Sequence, residues 1–322
     1  MKKKIFLYLL IVFHLCTNQV ISLENKIIFK INDKIITTFD IKQEEKYLIV
    51  LNPKLIKVDQ NKLKDLATDS IIKEKIKEIE LMKYYKIDNV LDDINLKKII
   101  KNLYQTIGFK EEREFKGYLK NQNLEFSLVK RKLAIEMLWN NLIFEKFNNL
   151  VVIDETEIKN NLEKEIKNLS FTRDLLLSEI LIRNSKDLKL NIVYSEILKS
   201  IKDVGFATTA NIFSVSDTAK IGGKVGWIKE ISLSKKILKN IINLKKGQIS
   251  KPIKINQNFL ILAIEDTKIN KKKIDKKKIL ASRISYEKNQ QLERFSLAYF
   301  GKIRQNIKIN ELETYTNCPW RA

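Results

Sequence analysis

The chain has only eight glycines in 322 residues, and five of them, Gly205, Gly222, Gly223, Gly226 and Gly247, fall close together. Glycine serves where the backbone needs positive φ or close approach, so this stretch must turn tightly inside a chain that is otherwise rich in helix. Around it the pattern alternates. Leu175–Ile182 is an apolar run that suits a buried strand, and Leu188–Val204 and Ala207–Phe213 have helical spacing. Val225–Ile228 suits a second strand, Ser234–Leu244 another helix, and Asn258–Ile264 a last strand. The order predicts a small α+β domain. Gly223-Lys224-Val225 lacks the hydroxyl of a phosphate loop and leads into a strand, which excludes that use of the glycines.

Three words in this stretch carry a family likeness: "LLLSEILI" from Leu175, "GFATTANIFSVS" running on to "GGKVGWI", and "LKKGQISKPIKINQNFLIL". Together they keep the order and spacing of the parvulin-type peptidyl-prolyl isomerases, which residues 171–266 resemble. The resemblance implies a peptide-binding domain that twists prolyl amides with two histidines, a Cys or Asp beside them, and an apolar slot for the proline ring. Carried over position by position, the histidines fall at Glu179 and Leu260. The Cys/Asp position falls at Ser216, or at Asp217 if the loop shifts by one. The slot falls at Leu233 and Ile237, with plain core packing of a helix start as the alternative, and Trp227 and Phe259 are retained. The polar set is thus lost and the apolar peptide-binding set, Trp227, Leu233, Ile237 and Phe259, is kept. Glu179 and Asp217 are expected to be solvated, as single carboxylates in so charged a chain are, rather than to act as an acid pair.

Met1–Lys4 and the apolar Ile5–Leu15 read as a signal peptide, too short to span a bilayer, with cleavage expected after Ser22. From there Lys26–Ile31 and Lys34–Thr37 flank Asn32-Asp33 as a hairpin. Thr38 is the expected cap of the next helix, with Asp40 in its first turn, and Asn52-Pro53 ends it. Helical spacing then covers Asn61–Tyr85, Val90–Gln105 and Leu124–Asn149, with Gly108 and Gly117 bracketing or interrupting a short helix between. Asp154, three residues before Glu157, starts another. After a basic linker at Lys268–Lys273, Ile274–Ile307 reads as one helix, roughly 45 Å long at 1.5 Å per residue. Its apolar stripe (Leu280, Ile284, Leu292, Phe295, Tyr299, Ile303) must be covered, and the N-terminal helices are the natural partner.

The hairpin word "IIFKINDKIITTFDI", the helical run after it and a single parvulin-like unit resemble, in order and length, the SurA-like family of periplasmic chaperones. The expected organisation is a signal peptide at 1–22, a mostly helical domain at 23–170, a parvulin-like α+β domain at 171–266, and a linker, long helix and tail at 267–322. In that family the last helix packs back on the N-terminal domain, which makes the parvulin-like unit an insertion.

The formal net charge of +22 falls to +19 once Lys2, Lys3 and Lys4 leave with the signal. The lysines are scattered with few interleaved aromatics, which excludes a nucleic-acid binder. Cys16 leaves with the signal and Cys318 is then alone, so no internal disulfide is expected. The only histidine, His14, lies in the signal. The mature chain therefore has no imidazole chemistry to draw on, and neither metal nor cofactor is expected. The resemblance implies a periplasmic protein, not inserted in the membrane after cleavage, whose partners are unfolded outer-membrane or other exported polypeptides. Isomerase activity is expected to be weak or absent, and the alternative is an active parvulin-type isomerase with a different polar set.

Overall fold

The first turn among the described residues is made by Asn32, whose φ of +48 is left-handed, in a computed structural model that describes residues 25–166, 172–184, 189–270 and 275–312. Asparagine tolerates that conformation. It joins β1 (Ile27–Ile31) to β2 (Lys34–Thr37), and the pair buries Ile28, Ile31 and Ile36. A third strand, β7 (Ile309–Glu311), arrives from the far end of the chain and pairs with the other edge of β1, giving the order β2-β1-β7. Three residues carry too little periodicity to show as a strand in sequence.

Thr37, and not the expected Thr38, caps the helix α1 (Thr38–Leu51). Its Oγ1 accepts from the Asp40 amide, while an Asp40 carboxylate oxygen accepts from the Thr37 amide at 2.8 Å. The reason is local: Thr37 is still extended, as an N-cap must be, while Thr38 is already helical. The helices α2 (Gln60–Leu81), α3 (Ile94–Thr106), α4 (Glu112–Asn121), α5 (Phe126–Phe147) and α6 (Glu155–Ile166) follow. Gly117 lies inside α4 and does not interrupt it. Fully buried Trp139, Phe115, Leu96 and Ile76 mark the core of this helical frame. Within it the Lys132 ammonium sits between the buried carboxylates of Glu44 and Glu74, 2.6 Å from the latter.

The long helix α10 (Lys276–Gln305) closes the frame. Phe295 stacks on Phe147 at 5.1 Å, Tyr299 stacks on Trp139 at 5.8 Å, and the Trp139 indole donates to Ser296 Oγ at 2.8 Å. The Tyr299 hydroxyl also donates to Glu80.

Between frame and α10 lies a central unit built on an antiparallel sheet of order β4-β3-β6-β5. Its spine is β3 (Thr172–Arg183), paired along its whole length with β6 (Asn258–Asn270), and β4 (Lys224–Lys229) and β5 (Ile253–Ile255) form the edges. Side chains alternate across a strand. Leu175, Leu177 and Leu181 therefore face one core with α9 (Lys235–Ile241), while Ile180 and Ile182 face α7 (Leu190–Val204) and α8 (Phe206–Phe213) on the other side. The whole is α+β. The expected basic linker is corrected at its start: Lys268 and Ile269 are strand, held in β6 by pairing with Asp174 and Arg173. Residues 271–274, the signal peptide with its Cys16, and the tail with Cys318 lie outside the described residues. Among the described residues no helix is long and apolar enough to cross a membrane.

Candidate functional site

Glu179 stands at the middle of β3, on the face shared with Leu175, Leu177 and Leu181. Two close approaches fix its surroundings. The Glu179 amide donates to the Gly223 carbonyl at 2.7 Å, and a Cβ at Gly223 would lie 2.1 Å from the Glu179 carbonyl oxygen. With φ at +73 as well, only glycine fits there. On the other flank Ser214 Oγ accepts from the Leu181 amide, and the Val215 amide donates to the Leu181 carbonyl. This pins Ser216 and Thr218 over the Glu179 carboxyl.

Ser216 Oγ lies 2.8 Å from Glu179 Oε1 and 2.6 Å from Glu293 Oε1, the latter from α10. Thr218 Oγ1 donates to the same Glu179 oxygen at 3.0 Å. Glu179 is only 7 % exposed, so the expectation of a solvated carboxylate is overturned: the alternation of β3 aims it into the core. Burial pushes its pKa up, against the Ser216 and Thr218 hydrogen bonds, and the Asp217 charge adds to the rise. Burial, then the charge of Glu179, pushes Glu293 to about 7. Asp217 itself turns away to an ion pair with Lys77 at 3.3 Å.

The other residues marked by sequence are not gathered in one place. Leu260 pairs with Leu181 and shares the Glu179 face, in the same core as Leu233 and Ile237. Leu233 and Ile237 are 0 % and 2 % exposed, so they sit in the core and line no open slot. Tyr286 and Leu297 of α10 pack on that core, and Arg283 donates to the Leu233 carbonyl at 2.9 Å. Trp227 pairs with Leu176 and Phe259 with Ile182, on the opposite face of the sheet. Trp227 is partly exposed beneath the Lys268 ammonium, 3.9 Å from its ring. Strand parity thus puts Trp227 and Phe259 on the face opposite the core that holds Leu233 and Ile237.

Sequence reasoning gave no sign of the ties between the central unit and the frame. Glu136 of α5 accepts from Lys77 at 2.7 Å and from Lys220 at 3.0 Å. Burial works to raise the Glu136 pKa, but the charges of Lys220 and Lys77 hold it well below the carboxylate range. Asn52 donates to Asn211 at 2.7 Å, and Asn211 donates in turn to the Ala219 carbonyl. Beside these ties lies a cavity of about 400 Å³. Leu48 and Leu66 line it from the frame, Phe213 and Val215 from the central unit, and Leu297 and Phe300 from α10, with Lys73, Arg183 and Asp217 among its polar groups. Glu293 lies 77 residues beyond Ser216, and no local pattern links them.

Chemically, the pair formed by buried Glu179 and half-buried Glu293 can hold and release a proton, and the cavity can hold an apolar side chain or a short extended segment. No group of His, Cys, Asp and Glu suited to a metal occurs among the described residues.

Residues 184–266 match the family model of the PPIC-type PPIASE, or rotamase, domain. The chaperone SurA of Pseudomonas putida is 27 % identical over 186 residues, which is 55 % of this chain and 43 % of that one. The foldase protein PrsA of Bacillus subtilis is 27 % identical over 228 residues, covering 70 % of this chain and 68 % of its own. A solved SurA-like chaperone of Campylobacter jejuni is 20 % identical, covering 90 % of this chain and all of that one at a TM-score of 0.33. This chain spans less than half the length of the P. putida relative. By its sequence matches the chain is SurA-like and carries one PPIC-type parvulin domain.

Proposed function

We propose that this chain is a periplasmic chaperone that holds unfolded exported polypeptides, outer-membrane β-barrel precursors among them, and has little or no prolyl isomerase activity. The observation that carries the reading is the cavity of about 400 Å³ at the seam, walled by apolar residues of frame, central unit and α10 together. An extended segment with an aromatic or aliphatic side chain fits such a cleft, and binding there is driven by apolar burial. The reading divides the chain into a helical frame at 23–170, completed by the C-terminal helix, and a parvulin-like unit at 171–266. It takes residues 1–22 as a cleaved export signal. The names of the relatives, chaperone and foldase, agree with it.

Isomerisation must overcome a barrier of about 18–20 kcal/mol as the amide loses resonance. An enzyme lowers it with groups complementary to the twisted amide. The family's histidine positions are Glu179 and Leu260 here, and Leu233 and Ile237 are buried. Trp227, Phe259 and the cleft remain for peptide contact. The match to a rotamase model favours a second reading, an active isomerase using Glu179, Ser216 or Asp217.

One paired experiment separates the two. The chaperone reading expects suppression of aggregation of an unfolded outer-membrane barrel protein, with no acceleration of prolyl isomerisation in a short peptide. Leu66→Asp with Phe213→Asp, which charges two half-buried walls of the cleft, should abolish the suppression while the fold persists by circular dichroism. Efficient turnover of prolyl peptides that Glu179→Ala removes would establish the enzyme instead.

A further inference from the structure

Ser216 Oγ carries a single hydrogen, yet it stands at hydrogen-bonding distance from two carboxyl oxygens, Glu179 Oε1 at 2.8 Å and Glu293 Oε1 at 2.6 Å. It can donate to only one of them. If both carboxyls were ionised, the second contact would be two oxygens facing each other without a proton. Both contacts are hydrogen bonds only when one carboxyl is protonated and donates to Oγ. Thr218 Oγ1 lies 3.0 Å from Glu179 Oε1 and 3.1 Å from Ser216 Oγ, so a second hydroxyl serves the Glu179 side of the cluster, and we take Glu179 as the better-served carboxylate and Glu293 as the proton carrier.

This pair joins two different parts of the molecule. Glu179 belongs to the central sheet, and Glu293 to the helix that closes the frame through Ser296, Phe295 and Tyr299. Beside it Tyr286 and Leu297 cover the core containing Leu233, Ile237 and Leu260, and Arg283 ties down the Leu233 carbonyl. The face on which the family's active site would lie is therefore shut by the chain's own helix.

We propose that Glu179, Ser216 and Glu293 form a proton-operated latch, which keeps α10 seated on the sheet while one proton is shared and lets that seam open when the proton leaves. Asp217 of the turn after Ser216 and Tyr286 on α10 itself face the pair, and Glu287 of α10 acts on the same Tyr286. Asp217 is itself paired with Lys77 of α2, which Glu136 also holds. The charges acting on Glu293 are thus negative, those of Glu179 and Asp217. Burial, followed by the charge of Glu179, raises Glu293 from 4.5 to about 7. A carboxyl raised in the closed form favours closure fully below its ordinary value and loses that contribution as pH rises toward 7. The seam is tight in mild acid and loosened above neutrality. Opening would bare the apolar surface of Leu233, Ile237 and Leu260. The latch concerns the seam alone and does not depend on the cleft taking a client.

Amide hydrogen exchange on the full mature chain at pH 5 and pH 8, corrected for intrinsic rates, tests it directly. The expected result is a loss of protection at pH 8 in the 283–293 part of α10 and in the 214–218 segment, by up to roughly 10²-fold. The frame helices α3 to α5 should be unchanged. Glu293→Gln, which carries hydrogens at every pH, should keep the pH 5 pattern at both values. Glu179→Gln provides a second variant of the same kind should the first fail to fold. Ser216→Ala should show the open pattern at both. Equal protection of the wild-type chain at the two pH values would overturn the proposal. So would a pH effect retained by a folded Glu→Gln variant, or an equal loss of protection in the frame helices.

Discussion

Glu136 and Glu293 both reach across to the central unit, one from α5 and the other from α10, and burial acts on the two carboxyls in the same direction. Their neighbours do not. Glu136 meets Lys77 and Lys220, and the charges of these cations more than offset the cost of burial. Glu293 meets a serine already shared with another acid, and the Glu179 charge adds to that cost. One half of the seam is therefore locked at neutral pH by opposite charges. The other half is held by a proton. Depth of burial alone would have placed the two in one class, and it is the sign of the nearest charge that separates them.

The strongest way to break this contrast is Glu136→Ala. It leaves the Lys77 and Lys220 ammonium groups without their shared partner, and because Glu136 and Lys220 are each about a quarter exposed the loss falls below that of a fully buried pair, at about 2–4 kcal/mol. Urea unfolding should show that loss, and a change below 1 kcal/mol would mean water already satisfies both lysines. Ser216→Ala comes next, at about 1–3 kcal/mol, because it strips a hydrogen bond from the buried Glu179 carboxyl and from the half-buried Glu293 carboxyl. The same denaturation series reads it.

The pH profile sharpens the contrast further. Glu136 is depressed, so its contribution is present above the ordinary value of 4.5 and is lost as pH falls below it. Glu293 is raised, so its contribution is present below 4.5 and is lost as pH rises to about 7. Stability of Glu136→Gln should fall less steeply in acid than that of the wild type, and Glu293→Gln should remove a decline of about 1–3 kcal/mol between pH 4.5 and 7. Identical profiles for both variants would erase the distinction. The smallest effect lies far from the seam. Thr37→Ala removes a helix cap and should cost about 1 kcal/mol at every pH, which makes it the control for a loss unconnected with titration.

Much of this could be read from the residues in order. The helical frame, the spine strand and the glycine turn follow from periodicity and from the scarcity of glycine, since these are properties of neighbouring residues. The positions of the degenerate family site, Glu179, Ser216 and Leu260, also lie in one face or beside it, because strand parity is countable from sequence. Parity equally divides Phe259 from Leu260, a consequence present in the sequence that motif matching alone passes over. Thr37 against Thr38 was decided by where the extended backbone of β2 ends, which the identical residue types could not reveal.

What only the tertiary structure decided are the meetings between distant segments. The strand β7 exists because it finds the free edge of β1. The apolar stripe on α10 announced that it needed a cover, yet not that the same helix also covers the central core with Tyr286 and Leu297. Nor could an acidic residue in a strongly basic chain be told from its solvated neighbours until Glu293 and Glu179 were seen on either side of one hydroxyl. Local structure depends on interactions a few residues apart, and the sequence determines those. A pKa depends on burial and on the charges nearest in space, and in this chain those come from segments that only the fold brings together.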